Sequence, residues 1–375
     1  MDFFRYFELQ KGKMVEFLRE AVRFESPSGD KKAVDACSSF IIRELKKIGL
    51  KITRFPQEKT GDLYLAHYPP DIEKRKEQIL LLTHADTVWP VGKIQKMPFY
   101  IKGNRIFGPG ALDMKAGLAM VVFSLRALKQ LNIRPKKRIA VFINSAEEVG
   151  SEASSRAIKS LAKKSACVLC LEPALPGGGL KIQRKGRLVI RLETKGKAAH
   201  AGTPEKGINA IEELMLQLQC IKKLETKETT INIGLIGGGE KPNVVAEQAW
   251  TVLDIRFWQN DEKEKVVDFL SQLSPMLKGA RIKFITESLT PPMEKTKANA
   301  EVLFQARRIA SSLGMVLSAG KTGGGSDASI ASSLGVPTLD GLGPDGDGIH
   351  AENEHLILPS LVQRTALLAA LLVRL

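Results

Sequence analysis

The sequence predicts an α/β fold, a mixed sheet flanked by helices, with a second and smaller α+β domain inserted into it. Three observations carry that expectation. Apolar strand-like runs alternate with helical patterns through the first half of the chain, alternating strands of a different texture begin near residue 185, and helical patterns like those of the first part return after residue 290. The 375 residues suffice for two to three domains of about 150 residues each, with a sizeable buried core. Residues 1–184 and 291–375 are expected to form one domain, and 185–290 the insertion.

Residues Gly12–Val22 and Ala33–Leu50 place apolar side chains at helical spacing, and the turn between them, Glu25-Ser26-Pro27-Ser28-Gly29-Asp30, ends in a residue able to cap the second helix. Strands at Gln78–Thr83, Arg138–Ser145 and Ala166–Leu171 then alternate with helices at Lys115–Leu131 and Glu152–Ala162. In the insertion the order is strand Arg187–Glu193, helix Asn209–Lys222, strands Thr229–Ile236 and Ala249–Phe257, helix Glu262–Lys278 and strand Arg281–Ile285. That β-α-β-β-α-β succession is ferredoxin-like. Helix and strand patterns like those of the first part return at Ala298–Leu313 and Leu356–Leu375.

A composition of 43% hydrophobic and 26% charged residues excludes the disordered and fibrous classes. The longest uncharged runs, Ile309–Gly320 and Ala328–Leu339, are about a dozen residues, too short for a membrane span. The start Met1-Asp2-Phe3-Phe4-Arg5 lacks the pattern of an export signal, so cytoplasmic residence is expected. Net charge is +15, and since residues 185–290 hold 16 basic and 14 acidic groups, 13 of that excess lies outside the insertion. The lysine pairs are scattered among helical patterns with Glu nearby and without a nucleic-acid motif, so a solvated basic surface is expected, with neither nucleic acid nor membrane as partner. Cys167 and Cys170 form a C-x-x-C within a strand pattern, where positions three apart face opposite ways, which argues against a redox pair or zinc knuckle.

Five histidines occur, and His84 closes the apolar run Ile79–Thr83 with Asp86 two residues on, an arrangement suited to a metal-binding imidazole and its orienting acid, or to a structural histidine. Asp113 stands just before a helix, as an N-cap would. Glu147 and Glu148 follow the strand ending at Asn144; adjacent side chains point apart, so one can bind metal while the other faces substrate as a base. Glu172 ends a further strand and His350 lies in the final stretch. His84, Asp113, Glu148, Glu172 and His350 thus gather at strand ends, where α/β sheets build active sites, as a mixed N/O donor set suited to zinc, with Co2+ or Mn2+ as substitutes. Asp345-Gly346-Asp347-Gly348 fails as a calcium loop because its twelfth position is Leu356, and Gly323-Gly324-Gly325-Ser326-Asp327 lacks the lysine of a phosphate loop.

These residues sit in motifs that resemble the di-zinc exopeptidase and deacylase family of glutamate carboxypeptidase, aminoacylase, acetylornithine deacetylase and succinyl-diaminopimelate desuccinylase. The motifs are His84-Ala85-Asp86-Thr87-Val88, Gly110–Gly117, Glu147-Glu148-Val149-Gly150-Ser151, Gly196–Gly202, Thr322–Ala328 and Gly348-Ile349-His350, in order along nearly the whole chain. Leu171-Glu172-Pro173 and the triple glycine Gly323–Gly325 are most similar to the glutamate carboxypeptidase branch. The resemblance implies a zinc-peptidase-like fold, two Zn2+, His84 and Glu172 on one ion, Glu148 and His350 on the other, and Asp113 bridging. It further implies Glu147 as general base, Asp86 clamping His84, and the insertion as a lid that forms a homodimer through a strand edge and helix. His200 would support the oxyanion, from the partner subunit in relatives, while Arg256 would anchor a substrate carboxylate and Asn243 and Gly325 would meet the substrate. Taken alone, Arg256 would be a strand-surface charge and Asn243 a turn residue.

Two departures from the family pattern bear on specificity: Ala246 replaces a proline, and Leu289-Thr290 stand where relatives often carry an arginine, which removes a contact to a substrate carboxylate and with it a basis for preferring a C-terminal glutamate. The expected activity is release of an amino acid from the C-terminal end of a peptide or an acylated amino acid. The alternatives are an N-acyl-amino-acid deacylase and, from another class, an inactive hydrolase fold serving as a basic nucleic-acid-binding or scaffold protein.

Overall fold

A computed structural model describes residues 2–70, 77–150 and 152–375. They fall into two compact units: residues up to Gln183 with Lys295–Thr322 and Ser326–Leu375, and Arg184–Glu294 with Gly323–Gly325.

The first unit is built on a six-stranded sheet in the order Lys51–Phe55, Leu63–Tyr68, Arg138–Asn144, Gln78–His84, Ser165–Cys170 and Thr338–Leu339. The first two strands are antiparallel to their neighbours and the rest parallel. Gln78–His84 is buried along its whole length, which accounts for its nearly continuous apolar run, as expected of a central parallel strand covered on both faces. Helices Phe3–Arg23, Lys31–Ile48, Ala116–Gln130 and Leu358–Arg374 contribute to the core around it, from Phe7, Ile41 and Phe123 to Leu368. Asp30 caps Lys31–Ile48 by accepting from the Ala33 amide. A second, small sheet pairs Tyr100–Lys102, Arg105–Phe107, His355–Ile357 and Gly346–Asp347, so the last two strands form a hairpin beside the segment that leads to Asp113. Cys167 and Cys170 are buried in strand Ser165–Cys170 as free thiols, and burial pushes the Cys167 thiol up to about 12. Among the described residues no helix is long and apolar enough to cross a membrane.

The second unit is an antiparallel sheet ordered Thr230–Gly238, Gln248–Phe257, Gly186–Lys195, Arg281–Thr290, covered by helices Ala210–Lys222 and Asn260–Ser271. Its core alternates along the strands, Leu188, Ile190 and Leu192 meeting Leu214, Leu218 and Leu270. The helix expected to reach Lys278 stops at Ser271. Pro275 cannot continue it, and the following segment bonds elsewhere: Glu213 accepts the Met276 and Leu277 amides, and Gln217 donates to the Ser274 carbonyl. The last strand runs five residues beyond the expected Ile285, with its register shifting between Thr286 and Ser288.

Candidate metal centre

His84 is the last residue of strand Gln78–His84, and Glu172 follows strand Ser165–Cys170 by two residues, so parallel neighbours deliver an imidazole and a carboxylate to the same end of the sheet. His84 Nε2 lies 3.3 Å from Glu172 Oε1 and 3.4 Å from Asp113 Oδ1. The other Asp113 oxygen, Oδ2, lies 3.4 Å from His350 Nε2, which is 3.1 Å from Glu148 Oε2. Two groups result, His84 with Asp113 and Glu172, and Asp113 with Glu148 and His350, the candidate ligand atoms of each lying within 4.8 Å of one another. Asp113 is common to both and turns one oxygen toward each. It is not an N-cap: the helix behind it begins at Ala116, the cap position falls to Lys115, and no side chain caps it.

The donor set fits divalent ions. His84 Nε2, Asp113 Oδ1 and Glu148 Oε1 are buried without a hydrogen-bond partner, which buried polar atoms rarely tolerate unless an ion or water takes that place. The electrostatics agree. Burial works against a charge on His84, yet Asp113, Asp86 and Glu172 outweigh it and hold its pKa well above the usual imidazole value. Asp113 and Glu148 hold His350 up at about 10. Burial opposes ionisation of Asp113, but the two histidines draw its pKa below the carboxylate range, whereas burial raises that of Glu148. A site that collects protons this strongly is one in which cations can replace them.

Asp86 is wholly buried and serves more than His84. The nearer partner of His84 Nδ1 is the Asp86 carbonyl oxygen at 3.0 Å, with the carboxylate 3.5 Å away. The carboxylate accepts the Glu147 and Glu148 amides, both at 3.2 Å, and the Ser28 hydroxyl at 2.6 Å. It thereby fixes the backbone of the Glu-Glu pair; Ser151, which ends that motif, lies outside the described residues. Burial and then the Glu172 carboxylate raise the Glu147 pKa well above the ordinary glutamate value. Behind the pair, Asn144 donates to Asp327 at 2.7 Å and accepts the Ser145 and Ala146 amides.

In the second unit, His200 is exposed, with Nδ1 accepting the Gly202 amide at 3.0 Å. Its segment pairs with that of Asn243, whose carbonyl accepts the Ala201 amide at 3.0 Å. Arg256 rests on Asp254 through two bonds of 2.6 and 3.2 Å, and the Gly325 carbonyl accepts from Arg184 at 2.7 Å. Three residues of the first unit that hold the site were absent from the expectation: Ser28, Glu354 and Arg364. Glu354 binds the turn carrying Asp113. Arg364 donates to the Gly343 carbonyl at 3.0 Å, while the Gly343 amide holds the Glu172 carbonyl at 2.8 Å. A lone serine, a glutamate near the second histidine and an arginine in an apolar helix carry no spacing signal of their own.

Two N/O groups sharing a carboxylate, beside a Glu-Glu pair at the strand ends of an α/β sheet, have the constitution of a metal-dependent hydrolase. Residues 80–374 match Peptidase family M20/M25/M40, and the chain belongs to that family. It is 29% identical to carboxypeptidase G2 of a Pseudomonas species over 369 residues, covering 96% of this chain and 88% of that protein. The fold is shared with aminopeptidase PepT of Bacillus cereus, at a TM-score of 0.81 and 23% identity over 97% of this chain and 98% of that one. It is also shared with a dinuclear metal-binding M20 peptidase of Bacillus subtilis, at a TM-score of 0.73 and 16% identity over 98% of both chains.

Proposed function

We propose that this metallohydrolase is a two-zinc exopeptidase of the carboxypeptidase type, removing the C-terminal amino acid from a small peptide or an acylated amino acid. The observation that carries the reading is the shared Asp113, whose two oxygens face two separate imidazoles, with Glu147 next to the ligand Glu148. His84 and Glu172 would hold one ion, His350 and Glu148 the other, with Asp113 between them, so each ion would receive one nitrogen and two carboxylates. When bound, the ions polarise the scissile carbonyl and make water more acidic. Glu147 takes the proton of the attacking water and gives it to the leaving amine; burial raises its pKa, the direction that favours taking the proton. Asp86 keeps Glu147 in place through the backbone amide.

His200 is assigned to the oxyanion, Arg256 to the substrate carboxylate, and Asn243 and Gly325 to other contacts with the substrate; the shared backbone pairing of the His200 and Asn243 segments supports their acting together. The insertion is read as a lid that also forms a homodimer. Its edge strand Thr230–Gly238 leaves Leu235 and Ile236 59% and 60% exposed, and Met215 on helix Ala210–Lys222 is exposed as well, an apolar edge suited to a second copy. The test is a substrate panel on zinc-loaded protein: dipeptides and N-acylglutamates of folate type against acetylated and succinylated amino acids. Release of free C-terminal amino acid from the first group is expected. Turnover confined to the second group would make the chain a deacylase, and none on either would overturn the reading.

A further inference from the structure

Glu354 lies four residues after His350, is 1% exposed, and belongs to neither candidate ion group. All four hydrogen bonds of its carboxylate are acceptances. Oε1 takes the amides of Leu112 at 2.9 Å and Asp113 at 3.1 Å; Oε2 takes the Gly110 amide at 3.0 Å and the Trp89 indole N–H at 2.8 Å. Three backbone amides of one turn therefore converge on a single buried carboxylate group. The turn itself is tightly fitted: Gly110 has φ +69°, and a Cβ there would meet Thr87 at 2.5 Å. Glu354 itself ends the loop that bears His350, a residue held at φ +62°, and its amide bonds back to the Ala351 carbonyl at 2.9 Å.

From this geometry we propose that Glu354 is the positioning residue of the metal centre, a buried brace that locks the Asp113 turn to the His350 loop and so sets the separation of the two ion sites. The inference rests on the two-ion reading above. Its chemistry is specific to a carboxylate. A glutamine of the same shape has one acceptor oxygen, so whichever way its amide lies, the NH2 faces two N–H donors. Either the Leu112 and Asp113 amides or the Gly110 amide and Trp89 lose their acceptor, and the turn must shift. Asp113 is common to both sites, so the shift is felt by both ions.

The experiment compares wild type with E354Q. Ion stoichiometry and affinity are measured by chelator competition, ligand geometry by the visible spectrum of the Co2+-loaded protein, folding by thermal melting of the ion-free protein, and kcat and KM separately. In E354Q we expect a folded protein whose ion affinity is weaker by about 10- to 100-fold, an altered Co2+ spectrum, and a lowered kcat with KM little changed. If E354Q does not fold, E354D, which keeps the charge on a shorter arm, is read in the same assays with the same expected direction. Folded variant with wild-type affinity and spectrum overturns the inference. Wild type that itself fails to take up two ions overturns the underlying reading instead, so the two failures are told apart.

Discussion

The two ion groups that share Asp113 are built differently. At the His84 end the imidazole is 2% exposed, both ligands follow central parallel strands, and Glu172 is backed by the Gly343 amide and through it by Arg364. At the other end the His350 side chain is 48% exposed, sits in a hairpin loop at positive φ, and faces a glutamate in the turn after strand Arg138–Asn144. One end is thus part of the sheet and the other part of the surface. The difference predicts a division of labour: the buried end would anchor an ion as part of the fold, and the open end would exchange its ion and admit what the site acts on.

Glu147 tests whether these ends work as one centre, and it carries the largest expected effect. It is adjacent to Glu148 of the open end, yet after burial the strongest influence on it is Glu172 of the buried end. E147Q is expected to lower kcat by about 10²- to 10⁴-fold while both ions remain at wild-type stoichiometry. Loss of an ion from E147Q would show that Glu147 is a ligand and that the two ends are not distinct as drawn.

Next in size is the contrast between the histidines. H350A is expected to fold, to retain one ion per chain where wild type holds two, and to lose most activity. H84A removes a buried imidazole between carboxylates, so it is expected to lower the melting temperature of the protein as well as its ion content, because the group it leaves is crowded with like charge. In wild type, dilute chelator should remove one ion rapidly and the second slowly. Simultaneous loss, or an H350A protein as destabilised as H84A, would erase the proposed asymmetry.

The same contrast separates what the sequence disclosed from what it hid. His84, Glu147, Glu148 and Glu172 were legible because apolar strand runs end on them, and the insertion because Leu188, Ile190 and Leu192 alternate cleanly. Strands Lys51–Phe55 and Leu63–Tyr68 were not: the first is an exposed edge strand of Lys, Thr and Arg with little apolar alternation, and its pairing is supplied by the second. Taken alone Asp113 read as a cap, because cap and ligand occupy the same place in sequence, and the distinction lies in where the helix begins, at Ala116. The bracing side chains were invisible for a deeper reason. Ser28 binds a carboxylate, and Glu354 and Arg364 bind backbone groups, far away in sequence, and such partners have no periodicity.

Acid offers the finest test of the comparison, because it acts on the open end and on the fold through different histidines. At the open end a proton on His350, held up to about 10 by Asp113 and Glu148, competes with the ion, so ion uptake there should weaken as pH falls. His67, in the antiparallel part of the sheet, is perturbed the other way: burial, then Arg138 and Lys51, depress it to about 4, and its Nε2 has no hydrogen-bond partner. Its folded pKa lies below the unfolded value of about 6.5, so the folded state binds fewer protons, and the stability it contributes is present above pH 6.5 and lost as pH falls through about 4. Ion-free protein should therefore lose stability toward urea between those limits, by about 1 kcal/mol once solvent screening at a half-buried site is allowed for. H67Q should flatten that slope and leave the pH dependence of ion uptake as it was. If H67Q also changes ion uptake, acid reaches the open end through the sheet, and the surface and the scaffold are not separable.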